Sequence, residues 1–81
     1  MIVQVQFFSH LKEAAGLADL EVDLPSGAKV SALLELLYAR MPKLRAWNSS
    51  ILIGAGVEFV GRDYALQPNE EISIMPPVQG G

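Results

Sequence analysis

One stretch of this 81-residue chain has the apolar spacing of a long helix. Between positions 30 and 41 the large apolar residues recur every three or four positions and therefore share one stripe of a helical surface: Val30, Leu33, Leu34, Leu37, Tyr38 and Met41. Pro42 limits the continuation of this helix, and Leu36, which lies off the stripe, is expected to be partly exposed. Because one amphipathic helix cannot bury its own stripe, the rest of the chain must supply an apolar surface to cover it.

The segment before this helix has the pattern of two strands joined by a short helix. Residues 2–8 and 20–24 alternate between apolar and polar side chains, as half-buried strands do, and the odd positions of the first strand are predicted to face the core. Between them, residues 11–15 are predicted to form a short helix, with Ser9 as its N-cap and Gly16 as the left-handed residue that ends it.

The segment after the helix predicts three more strands. Residues 43–50 are expected to be irregular, and the strand patterns follow at 51–53, 57–60 and 71–75. A single helical turn is predicted at residues 64–66. A first hairpin, a crossover helix and further strands describe a β-grasp, the ubiquitin-like fold. We therefore predict an α+β domain, a mixed sheet of about five strands with one main helix across one face.

The composition leaves most catalytic centres without their side chains. The chain has no Cys and a single His, His10, so a disulfide, a thiol nucleophile and a Cys-based or multi-His metal site are excluded within it. Nine Asp and Glu against six Lys and Arg give a net charge of −3, which disfavours nucleic-acid binding. No apolar run reaches the about 18 residues of a membrane span, and the start does not resemble a signal peptide. We therefore expect a cytoplasmic protein with no metal and no bound cofactor.

The chemistry is predicted to lie in an extended tail, residues 76–81, that follows a domain of residues 1–75. Two prolines end the last strand and favour an extended exit, in which six residues reach about 19 Å. The residues expected to thread a narrow channel of a partner are Pro76, Pro77, Val78, Gln79 and Gly80. The α-carboxylate of Gly81 is ionised at neutral pH and can attack the α-phosphate of ATP on a partner enzyme, giving a glycyl adenylate. A sulfur donor can then displace AMP and leave a terminal thioglycine.

A Gly-Gly ending is weak evidence when taken alone, because it can be a frayed end or a cloning remnant. Here it follows a β-grasp pattern and a Pro-Pro exit, and this combination favours the functional interpretation.

The sequence resembles, from end to end, the small subunits of molybdopterin synthase. The resemblance is carried by Val5-Gln6-Phe7-Phe8, Leu11-Lys12-Glu13-Ala14-Ala15-Gly16, Leu33-Leu34, Leu66, Glu70-Glu71-Ile72 and Pro76-Pro77-Val78-Gln79-Gly80-Gly81. The Pro-Pro-Val-x-Gly-Gly ending is the most specific of these motifs. Two positions depart from the family pattern: Gly56 stands where Asn is usual, and Asn69-Glu70-Glu71 stands where Gly-Asp-Glu is usual.

The resemblance implies a sulfur carrier for molybdenum cofactor biosynthesis. A ubiquitin-activating-type enzyme that uses ATP would adenylate Gly81, and a sulfur donor protein would complete the thiocarboxylate. The tail would then enter the large synthase subunit and supply dithiolene sulfur to a cyclic pyranopterin precursor, in a heterotetramer of two small and two large subunits. The chain itself would be a non-catalytic subunit. Family positions used for docking match Phe7, Phe59 and Met75, although strand alternation places Phe7 inward, and burial in the core is the alternative for all three.

Other functions remain open on the same fold. Sulfur carriers for thiamine, cysteine or tRNA thiolation use the same terminal chemistry, and a ubiquitin-like modifier would join Gly81 to a lysine through an isopeptide bond. A plain interaction module does not need a terminal Gly-Gly, and an independent enzyme fits this sequence least well.

Overall fold

A computed structural model describes residues 1–77 and contains one mixed sheet, one main helix and two short helical segments. The elements in chain order are β1 (Ile2–Phe7), α1 (His10–Ala15), β2 (Asp19–Asp23), α2 (Val30–Arg40), a 3-10 helix (Pro42–Trp47), β3 (Leu52–Ala55), β4 (Glu58–Val60) and β5 (Glu71–Met75). The strand order across the sheet is β2-β1-β5-β3-β4. β1 and β5 are parallel, and the other neighbouring pairs are antiparallel. The predicted α+β, β-grasp fold is confirmed.

The core lies between α2 and one face of the sheet. The predicted stripe is buried from Val30 to Tyr38, while Leu36 and Met41 are half-buried at its margin. The sheet contributes the alternate residues of its strands: Val3, Val5, Phe7, Val22, Ile53, Ile72 and Ile74. Because α2 ends at Arg40, Met41 caps it rather than extending the stripe. The helix assignment is therefore confirmed to within one residue.

The turn from β1 into α1 differs from the prediction. Ser9 makes no side-chain cap and has a φ of 57°, because the chain must reverse between the end of β1 at Phe7 and the start of α1 at His10. Ser9 occupies the N-cap position as predicted, and its carbonyl accepts a hydrogen bond from the Lys12 amide at 3.0 Å, but its side chain forms no capping hydrogen bond. Gly16 has a φ of 83°, and its amide donates to the Lys12 carbonyl at 2.9 Å, so its predicted left-handed conformation is confirmed.

Two local predictions are wrong. The segment expected to be irregular contains the 3-10 helix from Pro42 to Trp47. Residues 64–66 form no helical turn but run extended beside the start of α2, where the Val30 amide donates to the Tyr64 carbonyl at 3.0 Å. The Leu66 amide completes this pairing by donating to the Ala28 carbonyl at 2.9 Å. Backbone pairing with a distant segment therefore replaced the local helical turn.

Both positions that depart from the family pattern have left-handed backbones. Gly56 has a φ of 64° in the β3–β4 turn, and Asn69 has a φ of 63° just before β5. Gly and Asn are the residues that tolerate this conformation best. The two departures therefore leave the fold intact.

A carboxylate organises the loop that leads into β5. Glu70 accepts hydrogen bonds from the Tyr64 hydroxyl at 2.5 Å and from the Gln67 amide at 2.9 Å. The hydrogen bond to the Glu70 carboxylate raises the pKa of the Tyr64 phenol, with smaller contributions from burial and from the nearby negative charges of Glu70 and Glu58. The contacts of Glu70 hold this loop against the start of β5.

Candidate functional site

The chain leaves the sheet at the end of β5, beside the end of β1. Pro76 and Pro77 follow Met75, are half-buried and lie outside any strand, as predicted. Because β1 and β5 are parallel, both strands end on the same side of the sheet, where the Phe8 amide donates to the Ile74 carbonyl at 3.1 Å. The remaining predicted tail positions lie outside the described residues: Val78, Gln79, Gly80 and Gly81.

The sheet has a second face that turns away from the core. In β1 the residues between the buried positions are Gln4, half-buried, and Gln6, exposed. In β5 the corresponding residues are Ser73 and Met75, both half-buried. We call this surface the open face. Its side chains are those that alternate with the core residues, as the pleat of a strand requires.

An apolar patch lies on the open face at the side where the chain leaves the sheet. Met75 pairs with Leu52 across the β3–β5 ladder, and its terminal methyl reaches over Gly54, 3.1 Å from where a Cβ on that glycine would lie. Phe59 pairs with Gly54 on the other side and is 68% exposed. Residues with such apolar exposure beside a chain exit are typical of an interaction surface.

Phe8 belongs to this patch, and the sequence analysis missed it. Phe8 follows directly after β1, its amide donates to the carbonyl of Ile74, the residue before Met75, and its side chain is 43% exposed. The alternation of Gln4 and Gln6 along β1 was the signal that could have identified it, since position 8 follows both on the outward side. We define the exit patch as Phe8, Leu52, Phe59 and Met75.

The structure corrects the assignment of Phe7 as a docking residue. Phe7 is 3% exposed and belongs to the core cluster, because it shares the inward parity of Val3 and Val5. Phe59 and Met75 lie on the open face, as their proposed role requires, but contact with a partner remains a prediction. The exposed apolar surface at the chain exit therefore contains Phe8 and not Phe7.

Few other features of residues 1–77 resemble a reaction site. This part of the chain has no group of three or more His, Asp or Glu side chains arranged to hold a metal ion. Its helices include none with the length and apolar character needed to cross a membrane. A shallow cleft of about 300 Å³ lies between the ends of α1 and α2, lined by residues 13–16 and 40–43. None of its lining residues belongs to the exit patch.

Comparison with known proteins agrees with this architecture. A molybdopterin synthase sulfur carrier subunit of Arabidopsis thaliana is 28% identical over 79 residues, which cover 98% of this chain and 82% of that protein. A Pyrococcus furiosus structure, described provisionally as molybdopterin converting factor subunit 1, superposes with a TM-score of 0.88 at 26% identity, covering 96% of this chain and 99% of that one. The small archaeal modifier protein 1 of Methanosarcina acetivorans superposes with a TM-score of 0.83 at 31% identity, covering 99% and 96%.

The family model that matches this sequence covers nearly all of it, including the Gly-Gly ending. The match runs over residues 5–81 and is to the model described as the ThiS family. It therefore includes the exit patch, the tail and all of the β-grasp domain except its first four residues. The chain belongs to the ThiS family.

Proposed function

We propose that this chain is the sulfur carrier subunit of a molybdopterin synthase and that the α-carboxylate of Gly81 is its working group. The observation that carries the proposal is the juxtaposition of an exposed apolar patch with the point where a Pro-Pro tail leaves the sheet. The family match through residue 81 and the whole-length relative in Arabidopsis thaliana support it. The chain contributes a substrate-carrying tail rather than a catalytic side chain.

The chemistry requires an enzyme that uses ATP. The Gly81 carboxylate attacks the α-phosphate of ATP, forming the glycyl adenylate and releasing pyrophosphate. Sulfur at the sulfide level, supplied as hydrosulfide by the donor, then attacks the acyl carbon, expels AMP and loses its proton, which leaves the thiocarboxylate at the same carbon. The thiocarboxylate sulfur bonds to the pterin precursor, and water then cleaves the bond between the acyl carbon and that sulfur, so the sulfur stays on the pterin and Gly81 returns as a carboxylate that can be charged again.

The domain serves to present the tail. A narrow active site admits Gly80 and Gly81 because they lack side chains. The exit patch anchors the domain at the mouth of that site and fixes how far the tail can reach. The proposed assembly with the large subunit is a heterotetramer of two small and two large subunits, and the proposed activating enzyme uses the same tail.

Reconstitution tests this function directly. The purified chain, incubated with its adenylating enzyme, ATP and a sulfur donor, is expected to exchange one oxygen for sulfur at Gly81, as measured by intact mass spectrometry and by mapping of the terminal peptide. The charged chain is then expected to convert the pterin precursor to molybdopterin when the large subunit is added. A reaction without ATP is the control. Charging that is followed by no pterin product would point to a different sulfur-requiring pathway.

A protein modifier is the second candidate. The 31% identity to a small archaeal modifier protein over nearly the whole chain favours it. In that case the activated Gly81 acyl group is attacked by a lysine amine, and the product is an amide bond with loss of AMP. Gel analysis of the same reconstituted mixture with a cell extract distinguishes the two, because lysine conjugates migrate as new, larger species that resist reduction.

Introducing a charge into the exit patch is expected to impair docking. Phe59→Glu and Met75→Glu should each raise the Kd for the large subunit about 30-fold, a loss of about 2 kcal/mol, because a carboxylate must then be desolvated in an apolar contact. The free variants should remain folded, since both side chains lie on the open face. Calorimetric titration measures the affinity, and circular dichroism measures folding.

Two controls sharpen this prediction. Val57→Glu adds the same charge to a fully exposed apolar residue of the same hairpin, outside the patch, and should change the affinity little. Phe8→Glu should leave the fold intact and weaken binding, whereas Phe7→Glu should unfold the domain because Phe7 is buried. Wild-type affinity in folded Phe59→Glu and Met75→Glu variants would exclude the exit patch from the interface.

A further inference from the structure

The strands that the structure describes contain no cationic side chain. Within residues 1–77, β1 to β5 contain no Lys or Arg, although the chain has six of these residues. The cations lie in helices or loops: Lys12, Lys29, Arg40, Lys43, Arg45 and Arg62. The strands instead carry acids: Asp19, Glu21, Asp23, Glu58 and Glu71. The negative side chains therefore lie mainly in the sheet layer of the fold, and the positive side chains lie in its helices and loops.

Four of these acids lie on the open face by strand alternation, and one of them, Asp23, is paired with the N-terminal ammonium of Met1 at 3.2 Å. The Gln4 amide donates to the Glu21 carboxylate at 2.9 Å, and Glu71 pairs with Gln4 on the other side. Glu21, Gln4 and Glu71 therefore form one row across β2, β1 and β5. Asp19 pairs with Gln6, two residues nearer the end where the tail leaves. We call Asp19, Glu21 and Glu71 the acidic row; all three are exposed.

The opposite layer carries most of the cations. Lys12 lies in α1 and Arg40 in the last turn of α2, while Lys43 and Arg45 lie in the 3-10 helix that follows. Only Arg45 among these four has an ion-pair partner in residues 1–77, Glu35 at 3.5 Å. The domain therefore has an electrical asymmetry, with the open face negative and the helical layer positive, in addition to its net charge of −3.

Such an asymmetry acts on an approaching partner before contact. At about 0.1 M salt the Debye length is about 10 Å, so the field of the nearer layer dominates at encounter. A partner that binds ATP and an ionised carboxylate must present positive potential around that site, since both ligands are anionic. The attraction of that potential for the open face, and its repulsion of the helical layer, favour the orientation in which the exit patch and the tail arrive first.

We propose that the acidic row steers this carrier onto its ATP-using adenylating enzyme, with the open face and tail leading. The inference rests on the proposed function, because it requires that such an enzyme be the partner. The exit patch then supplies the contact that holds the complex, while the acidic row acts mainly on the rate of association. The two groups of residues occupy different regions of the open face. The apolar residues of the exit patch lie beside the tail, and the acidic row lies farther from it.

Two double variants with equal net charge test the proposal. Glu21→Gln with Glu71→Gln removes two negative charges from the open face, and Glu13→Gln with Glu35→Gln removes two from the helices. Glutamine at position 21 keeps an acceptor for Gln4, so the sheet is preserved. Stopped-flow association with the purified adenylating enzyme is measured from low to high ionic strength, and dissociation is measured by displacement.

The open-face variant is expected to associate about fivefold more slowly than wild type at low salt, with dissociation nearly unchanged, and to converge with wild type at about 0.5 M salt. The association rate of the helix variant should fall by less than about twofold under the same conditions. Equal decreases of the association rate in both variants would show that only the net charge matters. An unchanged association rate in the open-face variant would show that the acidic row does not steer association. Either result overturns the proposal. A change confined to dissociation also overturns it. If wild type fails to bind the enzyme at all, the proposed function fails together with this inference, an outcome distinct from binding with equal salt dependence.

Discussion

Removal of Gly81 is expected to abolish sulfur transfer while leaving the domain folded. The atoms of this chain that change in the proposed reaction all belong to the terminal carboxylate. A chain that ends at Gly80 therefore presents its carboxylate about 3 Å short of the position at which the partner's ATP would react with it. A misplacement of that size removes the advantage of a correctly oriented reactant. The fold should not respond, because the core cluster ends at Ile74 and the last strand ends at Met75.

Two further tail variants make this prediction specific. Addition of one alanine after Gly81 should be equally inactive, since the working carboxylate is then displaced and carries a side chain beside it. Gln79→Ala, which keeps the length and the Gly-Gly ending, serves as the matched control and should still be charged. Intact mass spectrometry reports charging, and thermal melting reports folding. Sulfuration of the extended chain at wild-type rate would show that the terminus is not the working group.

Truncation of the central helix stripe is expected to have the largest effect on stability. Leu37 is 0% exposed and Leu34 is 2% exposed, so Leu→Ala at either position removes buried methyl and methylene groups and leaves a cavity. The cost should be about 2–5 kcal/mol, against a total stability on the order of 5–10 kcal/mol for a domain of this size. The melting temperature should fall by at least about 10 °C, measured by circular dichroism or calorimetry.

Leu36→Ala is the internal control, because it makes the same substitution one residue away in the same helix. Leu36 is only half-buried at the margin of the core, so its truncation should cost clearly less than that of Leu34 or Leu37. If the three variants melt at the same temperature, the burial pattern of α2 described above is wrong.

The alternation of side chains corrects the family resemblance at one position of the candidate site. The resemblance suggested Phe59 and Met75 for docking, and both lie on the open face; in β5, Met75 is opposite in phase to the buried Ile72 and Ile74. Resemblance suggested Phe7 for docking, although parity in β1 placed it inward with Val3 and Val5, and it is buried. The shift from Phe7 to Phe8 is a shift of one residue, which in a strand exchanges the core face for the open face.

Long-range pairing is what the sequence patterns could not predict. Nothing local distinguishes a helical turn at 64–66 from the extended segment that pairs with residues 28–30, since its hydrogen-bond partners lie more than thirty positions away. Ser9 is the N-cap residue that its type predicts, but its φ of 57° in the reversal after β1 is not the usual N-cap conformation, and its side chain forms no capping hydrogen bond. In both cases the competition between local preference and backbone pairing was decided by the assembled sheet.

The sequence by itself determined the amphipathic helix and the alternating strands, because the spacing of apolar residues is a local property of the chain. It also determined where the last strand ends, because a proline has no amide hydrogen with which to continue the sheet. Only the tertiary structure decided which surfaces meet. The parallel pairing of β1 with β5 brings Phe8 to the end of β5, where its amide bonds to the Ile74 carbonyl, and the antiparallel pairing of β3 with β5 and β4 adds Leu52 and Phe59. The same pairings align Glu21 and Glu71 on either side of Gln4. These neighbours are far apart in the chain, and their proximity depends on strand order and register, which emerge only when one helix and five strands bury a common core.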